Sequence, residues 1–395
     1  KKQDKVPHPI RTKPLSRFEK MERIVDRDLG IHAGNSDILQ TLVKAGLKAD
    51  YTAQLAQLIS KLDNKSSSGE TRRKVIMAMV KLVREACFLA PEMLEPFLGA
   101  YKDSDWSVRC FAASMLGGTL AEAAPSLAPK VLEALLKAAG SSDWTIRSAA
   151  TCTLEDIAKT APSLVSKVLE ALLKAARDSE DFVRYDAARA LVKLAKADNS
   201  LAPKTLEALL KAAGDPDWRV RNVAAYTLRK LAEADPSLAP KALEALLKAT
   251  GDAQYHVRQA AAYALGELAG ADPGLAPKAL EALVKAVGDT SNNLGSVVCS
   301  AAASALGKIA RAAPSLAAKA LEALCKFAGD FHWRIRSAAA TSALGELAKA
   351  DPSLAPKALE ALLKATGNFS SNVHDAAASA LEEQETRRRK TLTVF

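Results

Sequence analysis

Residues 214–228 read GDPDWRVRNVAAYTL, a turn followed by the start of an amphipathic helix. Asp217 stands where a helix N-cap belongs, and Val220, Ala224 and Leu228 follow at helical spacing. The phrase recurs as DWSVR at 105–109, DWTIR at 143–147 and, more loosely, WRIR at 333–336. These copies contain all four tryptophans of the chain. Tryptophan placed at one phase of a recurring unit is either packing material between units or a surface meant to be touched.

Working outward, Ala-led or Asp-led unit starts fall at Ala124, Ala161, Asp198, Asp235 and Asp272, each 37 residues after the last. Looser starts at Ala90, Ala313 and Asp351 extend the series, and residues 51–63 and 69–87 form an upstream pair on the same plan. Each unit holds two helical stretches. The first, over 237–251, carries Leu238, Leu243, Leu246 and Leu247 at helical spacing, with Pro240 near its start and Gly251 as its stop. The second starts at an acidic cap and runs through Val220, Ala224, Leu228 and Leu231. Neither helix can bury its apolar stripe alone, so neighbouring units must supply a shared core.

A helix pair of this length with D-x-x-V-R-x-x-A-A-x-A-L in its second helix resembles the HEAT repeat, in its PBS-lyase-like variety, over about nine units spanning 51–384. The resemblance implies an all-α fold, a right-handed α-solenoid superhelix of stacked antiparallel helix pairs, with second helices on the concave side. It also implies a hydrogen-bonded ladder of Asp and Arg along the array. The matching residues are Asp105 with Arg109, Asp143 with Arg147, and Asp217 with Arg221. Arg184 follows Glu180, while Arg258 and Arg336 keep the arginine but have Gln254 and His332 where Asp is expected. A structural role is the expectation for all of these arginines.

The expected organisation is an N-terminal extension with capping helices over 1–50, the repeat array over 51–384 and a basic tail over 385–395. The unit from Asp272 carries an Asn/Gly/Ser-rich insertion over 288–299, expected to be a protruding loop or a local hinge, and the acidic stretch 382–385 suits a polar cap on the core. The net charge of +10 is confined to the two ends. Residues 1–80 hold 16 Lys/Arg against 9 Asp/Glu, and 385–395 hold RRRK against Glu385, leaving the array between them neutral. A solvated tail is the simplest reading of that basic run.

The first helices are near copies, as in APKTLEALLKA and APKALEALLKA, whereas corners and outward positions of the second helices vary. A shared scaffold with one variable ridge is the pattern of a binding array. The expected contact residues are Trp144, Tyr185, Arg189, Trp218, Asn222, Tyr226, Arg229, Tyr255, Gln259, Tyr263 and Trp333, aromatics with arginine neighbours being common interface anchors. Each tryptophan is expected to pack one edge across a seam and to offer the other.

Catalytic signatures are missing from the sequence. Five scattered histidines have no metal-ligand spacing, and neither a phosphate-binding G-x-x-x-x-G-K-[ST] loop nor a G-x-S-x-G elbow is present. No cofactor or metal is implied. The five cysteines form no C-x-x-C pair and are expected as small core hydrophobes in a reducing, cytoplasmic compartment. No apolar run reaches the roughly eighteen residues of a membrane helix. The repeated LEALL phrase is read as core stripe rather than as a docking motif. The first residues lack both an initiator Met and a signal-peptide core, so the chain reads as a processed product or a piece of something longer.

The expected function is therefore a non-enzymatic scaffold or adaptor for a protein partner. Three other classes stay open: the regulatory arm of a larger signalling ATPase, a nucleic-acid binder like the HEAT-like DNA glycosylases, and a helper of bilin attachment. A neutral array argues against the nucleic-acid class, because duplex affinity depends on several Lys/Arg–phosphate contacts.

Overall fold

The computed structural model describes residues 36–287 and 295–328, with a few further positions between 353 and 361. Trp333, Arg336, most of the 1–50 extension, residues 288–294 of the insertion, the acidic stretch 382–385 and the 385–395 tail lie outside the described residues. The chain divides into two compact units, 1–134 and 135–395.

In the first unit, helix α1 (Ser36–Asp63) is one unbroken element that begins well before Tyr51. Helix α2 (Gly69–Glu85) follows, capped by Ser68, whose hydroxyl accepts the Thr71 N–H at 3.2 Å. Helices α3 (Ala90–Ala100) and α4 (Trp106–Ser114) complete the next pair. The latter runs on through a π-wound segment, Met115–Leu120. Ile76, Met79, Met93, Phe97, Leu116 and Leu120 are fully buried here.

Helix α5 (Ala128–Ala138) opens the regular series. In the second unit α6 (Trp144–Thr160), α8 (Asp181–Ala197), α10 (Trp218–Ala234), α12 (Tyr255–Ala271) and α14 (Gly295–Ala312) are second helices. Between them stand the first helices α7 (Val165–Ala175), α9 (Ala202–Ala212), α11 (Ala239–Ala249), α13 (Ala276–Val287) and α15 (Ala317–Ala328). A 3-10 turn precedes each first helix, as at Pro236–Leu238, where Asp235 accepts from the Ser237 N–H and hydroxyl at 3.0 and 2.6 Å. That turn absorbs the prolines, so Pro240 sits harmlessly in the first turn of α11.

Gly251 lies just beyond α11, where the stop was expected, and the helix ends there without a left-handed cap. Thr250 keeps right-handed dihedrals, Gly251 takes no positive φ, and its N–H bonds to the Lys248 carbonyl at 3.1 Å. The helix closes by tightening its last turn.

The two helix layers pack differently, and residue size is the reason. Second helices carry alanine on their inner faces, as at Ala224, Ala225, Ala261, Ala262, Ala302 and Ala303, and lie against their neighbours along most of their length. The first helices present leucine and touch one another only briefly. Leu243 and Leu246 sink into a core that is continuous from Ala188 to Leu324, while Leu238 and Leu247 only lean on it. In LEALL, likewise, Leu132 and Leu135 are buried and Leu136 is exposed. Two cysteines depart from the expected core placement: Cys87 and Cys152 are exposed, and Cys299 alone is fully buried.

Three successive corners of the second unit are each clamped by an arginine from the repeat before. Arg147 donates from Nε and Nη2 to Asp178 at 2.7 and 2.8 Å, Arg184 does the same to Asp215, and Arg221 to Asp252. Each pair is 31 residues apart. The third arm, Nη1, ties down carbonyls of the arginine's own corner: Ser141 and Ser142 for Arg147, Asp215 and Pro216 for Arg221. Arg72 holds Asp103 in the same way in the first unit.

The carboxylate that each arginine holds is thus not the capping one of its own motif. Asp143 and Asp217 are N-caps of α6 and α10, accepting the Thr145 and Arg219 N–H groups at 2.8 Å, and Asp105 caps α4 through Ser107. Arg109 and Arg258 bond their own corner carbonyls, Asp103 and Ser104 for the first, Asp252 and Ala253 for the second. The position 31 residues after Arg109 is Gly140, which carries no carboxylate.

Candidate functional site

The variable side chains come together on the second-helix layer of the second unit, and a simple register relates them. Trp144, Asp181, Trp218 and Tyr255 share one phase at the first turn of successive second helices; Thr145, Phe182, Arg219 and His256 occupy the next position. A residue of the first set meets the residue of the second set 38 positions on. Trp144 stacks on Phe182 at 5.2 Å, Asp181 pairs with Arg219 at 2.5 Å, and Trp218 stacks on His256 at 4.9 Å. Aromatic meets aromatic and carboxylate meets guanidinium, so each seam is closed by a matched pair.

Further along the same helices, Ser148 donates to Asp186 at 2.5 Å and Lys193 to Glu155 at 2.6 Å. Lys308 pairs with Glu267 at 2.5 Å. Burial pushes the Asp186 carboxyl above its ordinary range, against the opposing pull of Ser148, Cys152 and Arg189. Burial also opposes ionisation of Glu267, but the Lys308 and Tyr263 bonds outweigh it and hold that carboxyl low.

The expected contact residues fall into three groups. Trp144, Tyr226 and Tyr263 are exposed by 38, 49 and 44% of their surface, and Arg189 is exposed beside Tyr185. Tyr185, Trp218, Asn222, Tyr255 and Gln259 are half-buried. Tyr185 packs on Ala212, Val220 and Ala224, and Asn222 Nδ2 donates to the His256 carbonyl at 2.8 Å. Arg229 is the correction: only 6% exposed, it lies beneath Tyr226 and Tyr263 with ring centroids at 5.2 and 5.4 Å, and pairs with Glu233. It supports the two tyrosines from below rather than facing solvent, its guanidinium lying against both rings.

Three participants stand outside the expected contact set: Asp181, Phe182 and Arg219. Phe182 is exposed by 43% and sits between Trp144 on one side and the Arg219 guanidinium, 4.7 Å away, on the other. The 38-residue complementarity of Asp181 with Arg219 was the available signal. Asp181, Phe182, Tyr185, Trp218, Arg219 and Asn222 line a cleft of about 360 Å³ between the first turns of α8 and α10. Among the described residues no three His, Cys, Asp or Glu side chains gather as a metal site needs, and no helix is long and apolar enough to cross a membrane.

The chain matches no curated protein sequence. Among solved structures it resembles importin β (15% identity, TM-score 0.64), covering 92% of this chain and 50% of that one. It resembles Kap121p (17%, 0.61; 92% and 40%) and the Kap95 structure solved as a Kap95:Nup1 complex (12%, 0.64; 88% and 49%) in the same way. The chain spans half or less of the length of these proteins, and the likeness is one of fold. Overlapping segments 55–155, 94–192, 132–229, 169–266 and 206–307 match the family described as HEAT repeats. With its stacked helix pairs and arginine-clamped corners, the chain belongs to the HEAT-repeat family and is an all-α solenoid.

Proposed function

We propose that the chain is a non-enzymatic scaffold that grips a protein partner through the second-helix ridge of residues 144–267. The observation that carries this reading is the concentration of large exposed aromatics, Trp144, Phe182, Tyr226 and Tyr263, on the one layer whose side chains differ between otherwise copied repeats. Half-exposed aromatics held rigid by a neighbour lose little freedom on binding and bury much apolar area, which is why they anchor interfaces. The Kap95:Nup1 structure is a solenoid of similar fold in complex with another protein.

The ridge alternates charge, Glu155 with Lys193 and Glu267 with Lys308, so it offers no all-cationic track for a polyanion. That favours protein over nucleic acid. None of the five cysteines is in a disulfide, which suits a reducing compartment.

The test is a nuclease-treated affinity capture with the full chain and with the triple variant Trp218→Ala, Tyr226→Ala, Tyr255→Ala beside it. The expected result is one stoichiometric protein whose affinity falls by more than about tenfold in the variant while the helical circular dichroism persists. Unchanged affinity would overturn the reading, as would a captured species that disappears with nuclease.

A further inference from the structure

The cleft between α8 and α10 has a chemistry of its own. Its walls are the rings of Phe182, Tyr185 and Trp218. Its one cation, Arg219, is committed twice over: Nη2 lies 2.5 Å from Asp181 Oδ2 and 3.0 Å from Asp217 Oδ2, and Nε donates to Asp217 Oδ1 at 3.1 Å. Two carboxylates, Asp181 of the cleft lining and Asp217 outside it, share that one guanidinium, and Arg184, which also interacts with both, is itself paired with Asp215. The nearby Asp186 and Arg189 add one charge of each sign. Asn222 donates one amide N–H to the His256 carbonyl, which fixes the amide, and its oxygen remains an acceptor on the cleft wall.

Aromatic faces, a carboxylate and an amide oxygen suit a group that carries only donors and a positive charge. Arg219 already shows the preference from within. Its guanidinium rests over Phe182 at 4.7 Å and pairs with Asp181, an internal cation against the same wall and the same carboxylate. A volume of about 360 Å³ is ample for one long side chain.

We propose that this cleft receives a lysine or arginine side chain of the protein partner, its stem against Trp218 and Tyr185 and its head between Asp181 and the Asn222 amide oxygen. This rests on the protein-binding reading above and assigns a residue chemistry to one place on that ridge. Arg219 then acts as a competitor that the incoming cation must displace from Asp181.

The displacement fixes the signs of a test. The indole N–H resonance of Trp218 is followed in the full chain during titration with three short Gly/Ser peptides bearing Lys and Arg, Glu and Asp, or Gln. The basic peptide is expected to shift Trp218, with an affinity reduced about fivefold by Asp181→Asn and raised about threefold by Arg219→Ala. Glu207→Gln, on an exposed face of α9, should leave it unchanged. Asp181→Asn and Arg219→Ala act in opposite directions, so a shared folding defect cannot imitate the pattern. Preference for the acidic peptide, reversed signs, or indifference to both variants would overturn the proposal.

The two readings fail separately. A native partner that is lost with the aromatic triple variant but is indifferent to Asp181→Asn and Arg219→Ala sinks the cationic occupant and leaves the ridge. A partner weakened by Asp181→Asn but fully held by the double variant Tyr226→Ala, Tyr255→Ala, which spares the cleft, sinks the wider ridge and leaves the cleft.

Discussion

Arg184 on α8 reaches Asp215 in the corner before α10, donating from Nε and Nη2 to the two carboxylate oxygens at 2.7 and 2.8 Å. The same carboxylate accepts the Asp217 N–H at 2.9 Å, and Asp217 in turn caps α10. Two aspartates two residues apart therefore do different work. Asp215 joins repeats, whereas Asp217 starts a helix.

Their substitutions should separate these roles. Asp215→Ala leaves the mostly buried Arg184 without its carboxylate and is expected to cost about 3 kcal/mol. Asp217→Ala removes a cap and should cost about 1 kcal/mol. Chemical denaturation of both variants checks this; equal losses would show that the clamp adds nothing beyond the cap.

Glycine positions provide a second contrast. A Cβ on Gly266 would stand 2.6 Å from both the Cα and the Cβ of Ala305, so Gly266→Ala must force α12 and α14 apart, at about 1–3 kcal/mol. A Cβ on Gly214 meets nothing nearer than the Lys211 carbonyl at 3.6 Å, with no positive φ to oppose it. Gly214→Ala is expected to stabilise by about 0.5 kcal/mol through the unfolded chain. Thermal melting of the pair reads both signs.

The clamps should also make stability depend on acidity. Burial favours the protonated form of Asp178 and Asp252, yet the bonds from Arg147 and Arg221 and from the corner N–H groups prevail and hold both carboxyls below their ordinary value. A lowered native value means stabilisation that is fully present above about pH 4 and is lost as pH falls through the native value. Urea unfolding followed from pH 6 to pH 2 should show stability declining at the acid end, with a smaller decline in Asp252→Asn.

Asp186 has the opposite sign. Its carboxyl is raised by burial, so its contribution favours the fold in acid and turns unfavourable as pH rises through the native value. Asp186→Asn is expected to raise the melting temperature at pH 7 by about 2 °C, with the gain shrinking towards pH 4. A loss at pH 7 would mean that the Ser148 bond at 2.5 Å outweighs the cost of the buried charge.

The sequence by itself determined the repeat, the helix pair, the capping aspartates and the leucines and alanines of the core. These depend on local rules: cap chemistry and the 3.6-residue period act within a few positions of the chain. It also singled out the ridge, because repeats that share a first helix must differ where they are used. What only the tertiary structure decided was which residues meet across the seams. The partner of Arg147 is Asp178 rather than Asp143, and Arg229 lies under Tyr226 and Tyr263 rather than beside them. Asp181, Phe182 and Arg219 form a cleft with Trp218. Contacts between residues 31 and 38 positions apart are fixed by how far the alanine-faced second helices close on one another. That packing distance is set by pairs of surfaces and belongs to no single stretch of the chain.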